Sequence, residues 1–303
     1  SSQFKFKKIL VSAFTLPVSF VIPAHNEEDW VVDTVKSVLN QEYPEFEVIV
    51  VNDCSADKTF QVLDEFLKLE PVEKNYADRF TCGELSGIFA SRTHPQVTIL
   101  NKTNGCKKAA AVNAALNLAK FKYICLIDAD TVLEPDALIK VMAQVQKDPD
   151  KIIGAGGYFG LVNGFTIRDG RVLKKNFLQQ PLIAYQNVEY IRSLAVHRIA
   201  WSKYNAMPLV AGGFSVWRRD ILLDLGGYSS EFSSEDLEFT LRAHDYIIEK
   251  KKDGYRILML PYLVGWTEGP GNLKSFIIQR DRWQRVTNEA VWKYRHMILR
   301  PSH

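Results

Sequence analysis

Two aspartates stand one residue apart where an apolar run of the sequence ends. In "YICLIDADTVLEPDAL" (123–138), a strand-like stretch ends at Asp128, and Asp130 follows it. Neighbouring carboxylates repel each other unless a cation lies between them, and carboxylate oxygens are ligands that suit Mg²⁺ or Mn²⁺. An isolated pair also has a simpler interpretation, in which Asp128 ends the strand and Asp130 starts a turn before the helix that Pro135 opens.

Similar polar clusters follow two other predicted strands. The first strand ends in "PAHNEE" (23–28) and the second in "VNDCSAD" (51–57). Each cluster alone is typical of a turn or a helix cap. In open parallel sheets, however, ligands bind beyond the carboxyl ends of the strands. We therefore expect the three clusters to meet at one sheet edge, where a metal ion beside a nucleotide diphosphate supplies the missing positive charge.

The elements that must position these residues alternate in the first half of the chain. Strand patterns cover 17–23, 47–51, 96–100 and 123–128, and helix patterns follow them at about 27–41, 58–69, 107–120 and up to 146. Such alternation predicts an α/β fold with a mostly parallel sheet flanked by helices. Residues 71–95 fit neither pattern and are predicted to form an inserted surface loop.

The pattern changes after about residue 151. "KIIGAGGYFG" and "GRVL" are strand-like, 173–205 is helical despite Pro181, and "AGGF" (211–214) is a turn. An acidic helix start ("SSEDLEFTLRAH"), a strand at 255–260 and a basic C-terminal helix follow. Because no Pro/Ser-rich linker interrupts the chain, we predict one domain over 1–303. Its parts are a nucleotide half (about 17–150), a half for the partner substrate (about 151–270) and a basic interfacial helix (about 271–303).

The composition is that of an ordinary globular protein, with 47% apolar and 24% charged residues, which excludes disordered and fibrous classes. The net charge of +3 is too small to indicate a nucleic-acid partner. Residues 271–303 carry seven Lys or Arg against two acids. A basic helix that also contains aromatic residues suits a membrane surface with anionic head groups. Packing of this helix on its own domain is the alternative.

The four cysteines, at positions 54, 82, 106 and 125, form no C-x-x-C pair and have no nearby histidines at zinc spacing. Cys125 lies in a strand pattern that predicts a buried thiol, and a reducing compartment fits this usage. The longest uncharged run, 9–24, contains Ser, Thr and Pro and is shorter than the roughly 20 apolar residues that a membrane span needs. We predict no targeting segment and no span in the chain as given.

The series "PAHNEE", "VVNDCSADKT", "KKAAAVNAAL" and "DADT" resembles the family-2 inverting glycosyltransferases with the GT-A fold. "AGGF", "SSEDLEF" (233–239) and "QRDRW" (279–283) resemble the membrane-bound processive polysaccharide synthases of that family, which make cellulose, chitin, hyaluronan or poly-N-acetylglucosamine. The resemblance runs from about Val18 to Arg300. Two departures stand out: Asn52 and Cys54 replace the Asp and Gly that are frequent in the second motif, and Cys106 takes a position where Gly is usual.

The resemblance implies a donor site for a UDP-sugar. Asp53 would accept a hydrogen bond from a uracil N–H, Glu27 would hold the ribose, and Lys108 would neutralise diphosphate oxygens near a helix start. Asp130 would bind Mg²⁺ or Mn²⁺, and Asp128 beside it would contact the metal ion or the ribose. The nucleotide-sugar-binding residues expected from the resemblance are Ala24, Glu27, Asp53, Lys108, Asp128 and Arg282.

The acceptor side would be built from the second half of the chain. Inverting transfer needs one base that takes the proton of the attacking hydroxyl, and we assign Asp236, with Glu235 beside it. A capping box at Ser233 or Ser234 is the structural alternative. Trp283 would stack on a sugar ring as Gln279 hydrogen-bonds its hydroxyls, although a core tryptophan is also possible. The acceptor-binding residues expected are Gly212, Gly213, Glu235, Gln279 and Trp283.

The expected function is metal-dependent, inverting transfer of a hexose or N-acetylhexosamine from a UDP-sugar to a growing β-linked oligo- or polysaccharide. The expected location is the cytoplasmic face of a membrane, on its surface or beside transmembrane helices absent from this chain. A sugar nucleotidyltransferase is one alternative, although "PAHNEE" lacks a Gly-rich loop with a basic residue for triphosphate. A catalytically inactive nucleotide- or glycan-binding module is the other.

Overall fold

The computed structural model describes residues 15–176, 180–250 and 254–297. Within them a mixed sheet of ten strands runs in the order β3-β4-β5-β2-β1-β6-β11-β8-β12-β7. Its strands are β1 (Val18–Ala24), β2 (Phe46–Asp53), β3 (Leu69–Pro71), β4 (Leu85–Ser91), β5 (Val97–Lys102), β6 (Tyr123–Leu126), β7 (Thr131–Leu133), β8 (Ile152–Leu161), β11 (Ser215–Arg218) and β12 (Arg256–Thr267). A separate hairpin consists of β9 (Thr166–Arg168) and β10 (Arg171–Lys174).

Helices cover both halves of the sheet. In chain order they are α1 (Val31–Leu39), α2 (Thr59–Leu67), α3 (Lys108–Leu118), α4 (Ala137–Val145), α5 (Pro181–Tyr190), α6 (Arg198–Lys203), α7 (Arg219–Asp224), α8 (Glu235–Glu249) and α9 (Leu273–Lys293). A π-helical segment, Ile191–His197, joins α5 to α6.

The centre of the sheet is parallel, as the sequence predicts. β1 pairs in parallel with both β2 and β6, and β2 pairs in parallel with β5. These strands are rich in β-branched residues and almost fully buried, because helices cover both faces of a parallel sheet. Antiparallel strands flank this centre on both sides. The carboxyl ends of β1, β2 and β6 consequently lie at one edge, where the polar clusters begin.

Close packing explains the glycines of β8. A Cβ atom on Gly154 would overlap the ring of Trp217, and one on Gly160 would overlap the ring of Trp266. Trp217 in turn packs edge-on against Phe239 of α8, with 4.8 Å between ring centroids. The two indoles therefore fill space that a side chain on β8 would need, and Trp217 joins the sheet to the helix that carries Asp236.

Three predicted segments differ in the structure. Strand β7 (Thr131–Leu133) lies between the fourth predicted strand and the helix after it, where no strand was predicted. The prediction of a loop at 71–95 is wrong in part, because β4 lies within this range and β3 ends where the range begins. The two strands pair antiparallel at one edge of the sheet. The single helix predicted for 173–205 is two helices around the π-helical segment, and Pro181 occupies the first turn of α5, where its missing N–H costs no hydrogen bond. In the described ranges no helix is both long and apolar enough to span a membrane.

Candidate active site

The three polar clusters meet at the carboxyl edge of the sheet, as predicted. They line a first cavity of about 340 Å³ beside the N-terminus of α3. All but one of the expected nucleotide-sugar residues contribute to it, together with the expected metal ligand: Ala24, Glu27, Asp53, Lys108, Asp128 and Asp130. The exception is Arg282, which is exposed on α9 and lines a different cavity.

Lys108 connects this edge to the second half of the chain. Its Nζ lies 2.6 Å from Oδ1 of Asp128 and 2.9 Å from Oε1 of Glu235. Burial alone would lower the pKa of Lys108, but the charges of Asp128, Glu235 and Asp236 outweigh burial and raise the pKa well above its usual value. Lys108 is therefore a fixed positive charge at the mouth of the first cavity. Glu235, expected beside an acceptor, contacts this lysine in the structure.

Asp53 is held by a lysine that the sequence interpretation missed. Nζ of Lys102 donates to Oδ1 of Asp53 at 2.6 Å and to the carbonyl of Gly105 at 2.9 Å, and both side chains of the ion pair are buried. Burial raises the pKa of Asp53, and the hydrogen bond and charge of Lys102 oppose that rise. The sequence offered no signal for this contact, because the register of β5 on β2, which the structure alone shows, places Lys102 directly opposite Asp53.

A disulfide joins Cys54 to Cys106, with their Cα atoms 5.8 Å apart. It links the loop after β2 to the loop before α3, and Cys106 lines the first cavity. Both cysteines stand where the resemblance implies glycine. This pair is at odds with the reducing compartment inferred from cysteine spacing, since disulfides are rare in reducing compartments. Cys82 and Cys125 are buried free thiols, as predicted for Cys125.

The acids of the first cavity crowd one another. Burial raises the pKa of Glu27 to about 7, and the charges of Asp130 and Asp128 add to the rise. Burial likewise raises the pKa of Asp130 to about 6, with a further contribution from Asp128. Both hydrogen bonds that Asp130 accepts from described residues, from Thr131 and Thr267, go to Oδ1. This leaves Oδ2 of Asp130 available to a ligand.

This donor set fits a hard divalent cation. Asp128 and Asp130 present carboxylate oxygens, and a cation between them would relieve the repulsion of the acids. In the part of the chain that the structure describes, no three His, Cys, Asp or Glu side chains form a complete metal site. Remaining ligands would therefore be phosphate oxygens and water, which is the usual way in which Mg²⁺ is bound beside nucleotides.

Asp236 is oriented by three hydrogen bonds. Its Oδ2 accepts from the N–H of Gly212 at 2.9 Å, and its Oδ1 accepts from Oγ of Ser234 at 2.7 Å and the N–H of Leu237 at 2.8 Å. The capping-box alternative is wrong, because Ser234 makes no side-chain cap bond and instead donates to Asp236. With Glu235, Lys108 and Gly212, Asp236 lines a small pocket next to the first cavity.

A second cavity of about 390 Å³ shares Asp128 and Asp130 with the first. Four of the expected acceptor residues line it: Gly212, Gly213, Gln279 and Trp283. A Cβ atom on Gly212 would lie 3.0 Å from Nζ of Lys108, and one on Gly213 would lie 3.2 Å from the Phe159 ring. A side chain at either position would therefore be a tight fit, and Lys108 or Phe159 would have to shift by a few tenths of an ångström to admit it. Gly212 and Gly213 form a turn, as predicted for 211–214, and strand β11 follows them.

Trp283 is 39% exposed, so it is not a core tryptophan. The guanidinium of Arg280 lies over its ring, 4.2 Å from the centroid. Arg280 is fixed by Glu189, with 2.5 Å between Nη2 and Oε2, and by Oε1 of Gln279 at 3.0 Å. The indole is therefore held from one side while it remains accessible to the cavity. Sequence motifs identified Gln279 and Trp283 but not Glu189, which faces them from α5.

Comparison with known proteins agrees with this geometry. The family model "Glycosyl transferase family 2" matches residues 19–225. The poly-beta-1,6-N-acetyl-D-glucosamine synthase of Staphylococcus epidermidis is 26% identical over 274 residues, which are 90% of this chain and 55% of that protein. This chain thus spans about half the length of the curated relatives that it matches.

Solved structures show the same fold. The mannosyltransferase PcManGT from Pyrobaculum calidifontis, in complex with GDP-Man and Mn²⁺, superposes with a TM-score of 0.65 at 19% identity, over 96% of this chain and 70% of that one. TarS (1–349) of S. aureus superposes with a TM-score of 0.53 at 17% identity, over 91% of this chain and 64% of that one.

Proposed function

The chain belongs to glycosyl transferase family 2 and has its GT-A fold, and from this premise we propose a specific reaction for it. It transfers a hexose or N-acetylhexosamine from a UDP-sugar to a growing β-linked glycan, with inversion at the anomeric carbon. The observation that carries this proposal is the continuity of the site: Lys108 contacts Asp128 on one side and Glu235, the neighbour of Asp236, on the other.

The first cavity holds the donor in this proposal. Asp53 accepts a hydrogen bond from the base, Glu27 holds the ribose, and the backbone at Ala24 lies beside them. Lys108 exchanges its contact with Asp128 for diphosphate oxygens, and the N-terminus of α3 adds its dipole there. A uracil N–H is the donor expected for Asp53, and support comes from solved TarS complexes with UDP and with UDP-GlcNAc.

Asp130 and Asp128 hold a divalent cation, Mg²⁺ or Mn²⁺. When bound, the cation supplies positive charge for the departing diphosphate. Lys108 and Arg282 add positive charge from the protein. Support comes from the donor set described above and from Mn²⁺ in the PcManGT complex.

Asp236 is the general base. Its carboxylate takes the proton from the acceptor hydroxyl as that oxygen attacks the anomeric carbon from the face opposite the diphosphate, so the configuration inverts. The N–H groups of Gly212 and Leu237 and the hydroxyl of Ser234 hold the carboxylate in one orientation. A carboxylate held in this way needs no reorientation before it accepts the proton.

The second cavity holds the acceptor. Trp283 stacks on the terminal sugar, Gln279 hydrogen-bonds its hydroxyls, and the Gly212–Gly213 backbone lets the ring approach Asp236. Leu237 and Val286 provide apolar lining next to these groups. The lining of the cavity extends from α9 to Asp128, where the two substrates meet.

A membrane surface is the further partner that we propose, through α9. Its exposed apolar residues include Ile277, Ile278, Val291 and Trp292, and basic residues lie between them along the helix. Helices of this composition bind lipid interfaces with anionic head groups. A location at a membrane, beside transmembrane helices of a longer protein, is what the resemblance to the synthases supports, whereas the disulfide between Cys54 and Cys106 argues against the cytoplasmic face of that membrane.

A donor screen tests the proposed function. The protein is incubated with UDP-glucose, UDP-N-acetylglucosamine, UDP-galactose and GDP-mannose, each with and without soluble β-linked oligosaccharides, and nucleotide release is measured. We expect acceptor-stimulated UDP release with one UDP-sugar. Pyrophosphate formation from UTP and a sugar 1-phosphate would indicate a nucleotidyltransferase instead. Tight UDP binding without any release would indicate an inactive binding module.

A further inference from the structure

A buried carboxylate on α8 is hydrogen-bonded to the end of α9. The side chain of Glu238 is 1% exposed, and it accepts hydrogen bonds from the hydroxyl of Tyr294 at 2.8 Å and from Nη2 of Arg242 at 2.9 Å. Nζ of Lys293 lies 3.5 Å from the oxygen that Tyr294 contacts. Because Arg242 belongs to α8 itself, Tyr294 and Lys293 are the partners that join the two helices.

A buried charge between two helices is weak evidence for stability. Removal of a carboxylate from water costs free energy that its partners only partly offset, and apolar side chains of similar volume often serve stability as well. The best-attested role of buried polar contacts between helices is to fix how one helix lies on the other, because a displaced helix leaves the polar group unpaired. Burial and the hydrogen bond to Glu238 raise the pKa of Tyr294, so its hydroxyl remains a donor at neutral pH.

Tyr294 lies on the face of α9 that carries the expected acceptor residues. Residues spaced three or four apart share one face of a helix, and this spacing connects Gln279, Trp283, Val286, Ala290 and Tyr294. Val286 and Ala290 are the buried residues of α9, and Tyr294 directly after the helix is buried too. A rotation of α9 about its axis would therefore move Trp283 together with Tyr294.

The first turn of α8 contacts both the expected base site and α9. Asp236 and Glu238 are two residues apart, which is about 200° around the helix. Asp236 accepts a hydrogen bond from Gly212, whereas Glu238 accepts one from Tyr294. Leu237 between them lines the second cavity, as does Val286 of α9. The contact at Glu238 thus lies next to the place where the base and the acceptor must meet.

The first half of α9 is attached to a different element. Arg280 bonds to Glu189 of α5, and the ring of Phe276 packs edge-on against Tyr185 of α5, with 6.3 Å between centroids. These contacts place α9 relative to α5 and not relative to α8. A separate contact with α8 is therefore needed to place the acceptor residues relative to Asp236.

We propose that Glu238 is a positioning residue that fixes the rotation of α9 on α8 through its hydrogen bond with Tyr294. The fixed rotation directs Trp283 and Gln279 so that the acceptor sugar which they bind faces Asp236. Glu238 itself touches neither substrate. This inference rests on the proposed glycosyl transfer.

The test compares sugar transfer with hydrolysis of the donor in Y294F, which keeps the ring and removes the hydroxyl. We expect kcat/KM for the oligosaccharide acceptor to fall roughly 10- to 100-fold, the usual effect of a small misplacement of a substrate. UDP release to water without acceptor should not change, because hydrolysis uses the donor cavity and Asp236 but not α9. UDP affinity should also be unchanged.

Y246F is the matched control. Tyr246 lies on α8, its hydroxyl donates to Oδ2 of Asp224 at 3.0 Å, and it lines neither cavity. This variant loses the same kind of hydrogen bond as Y294F, but not one that reaches α9. We expect it to keep both transfer and hydrolysis.

Substitution of Glu238 tests the other partner. E238A should separate transfer from hydrolysis as Y294F does, and E238Q, whose amide oxygen can still accept from Tyr294, should recover part of the transfer. A merely structural role would lower hydrolysis together with transfer, and the melting temperature with both. Such parallel losses in Y294F and E238A would overturn the inference. Wild-type transfer in these two variants would overturn it as well.

Direct binding of the oligosaccharides by calorimetry keeps the two proposals distinguishable. If the wild-type protein releases no UDP from any donor, the proposed function fails. Glu238 is then judged by oligosaccharide affinity alone, which should fall in Y294F and persist in Y246F. Equal affinities in wild type and Y294F, or no binding to either, would overturn the role of Glu238.

Discussion

Cys54, next to Asp53, is joined by a disulfide to Cys106, two residues before Lys108. The bond connects the carboxylate expected to bind the base with the lysine expected to bind the diphosphate. Both side chains stand at the border of a loop, and loops are the most mobile parts of a fold. The disulfide thus fixes the distance between two groups that must contact opposite ends of one nucleotide.

Removal of this disulfide should affect both stability and donor binding. In C54S/C106S we expect the free energy of unfolding to fall by roughly 2–4 kcal/mol, because the bond closes a long loop. UDP affinity should also fall, since the two loops lose their fixed separation. Calorimetric titration with UDP and denaturant unfolding measure these effects. Dithiothreitol should shift the wild-type protein toward the variant and leave the variant unchanged, and an insensitive wild-type protein would contradict the prediction.

The buried ion pair between Lys102 and Asp53 predicts a second stability effect. K102M leaves the Asp53 carboxylate buried without its partner, so the free energy of unfolding should fall by roughly 3–5 kcal/mol. The double variant D53N/K102M removes both charges and should recover most of this loss. UDP binding should stay weak in the double variant, because an amide in place of the Asp53 carboxylate is a weaker acceptor for the base. Equal stability of K102M and wild type would show that Lys102 does not support Asp53.

Substitution of Asp236 tests the assignment of the base. D236N keeps the shape of the side chain but accepts no proton, so turnover should fall roughly 10²- to 10⁴-fold. UDP affinity should be nearly unchanged. D245N is the control, because Asp245 lies on the same helix and contacts His296, away from the cavities. Normal transfer combined with weak UDP binding in D236N would move Asp236 to the donor site.

Metal removal tests the roles of Asp128 and Asp130. Excess EDTA should abolish UDP release, and added Mg²⁺ or Mn²⁺ should restore it. D130N should need a much higher metal concentration for the same rate. Its melting temperature should not fall, because the substitution removes one of several crowded acids. Full turnover in EDTA would exclude a metal requirement.

Substitution of Trp283 should reduce polymer formation more than it reduces donor binding. Stacking on one aromatic face contributes about 1 kcal/mol or more to the free energy of binding. Each 1.4 kcal/mol that is lost weakens acceptor binding about tenfold. W283A should therefore shorten the product and reduce its yield, with UDP affinity intact. In an assay without lipid, W292A is the matched control on the same helix, since Trp292 is 71% exposed and contacts Arg295 outside the cavity. Equal loss of polymer and UDP affinity in W283A would indicate a structural role.

The sequence by itself determined the fold class and much of the site. Strand and helix periods are local properties, so the four strand–helix units of the first half could be read from short windows. Because the clusters around Asp53 and Asp128 follow the ends of parallel strands, they could be predicted to meet at one edge of the sheet. Motif residues such as Asp236 and Trp283 were also visible, because each motif is short and contiguous.

Tertiary structure alone decided which of these residues touch. Lys102 meets Asp53 across 49 residues, Cys54 meets Cys106 across 52, and Lys108 reaches Glu235 on a distant helix. Such contacts depend on strand register and helix packing, and neither leaves a pattern within a short window.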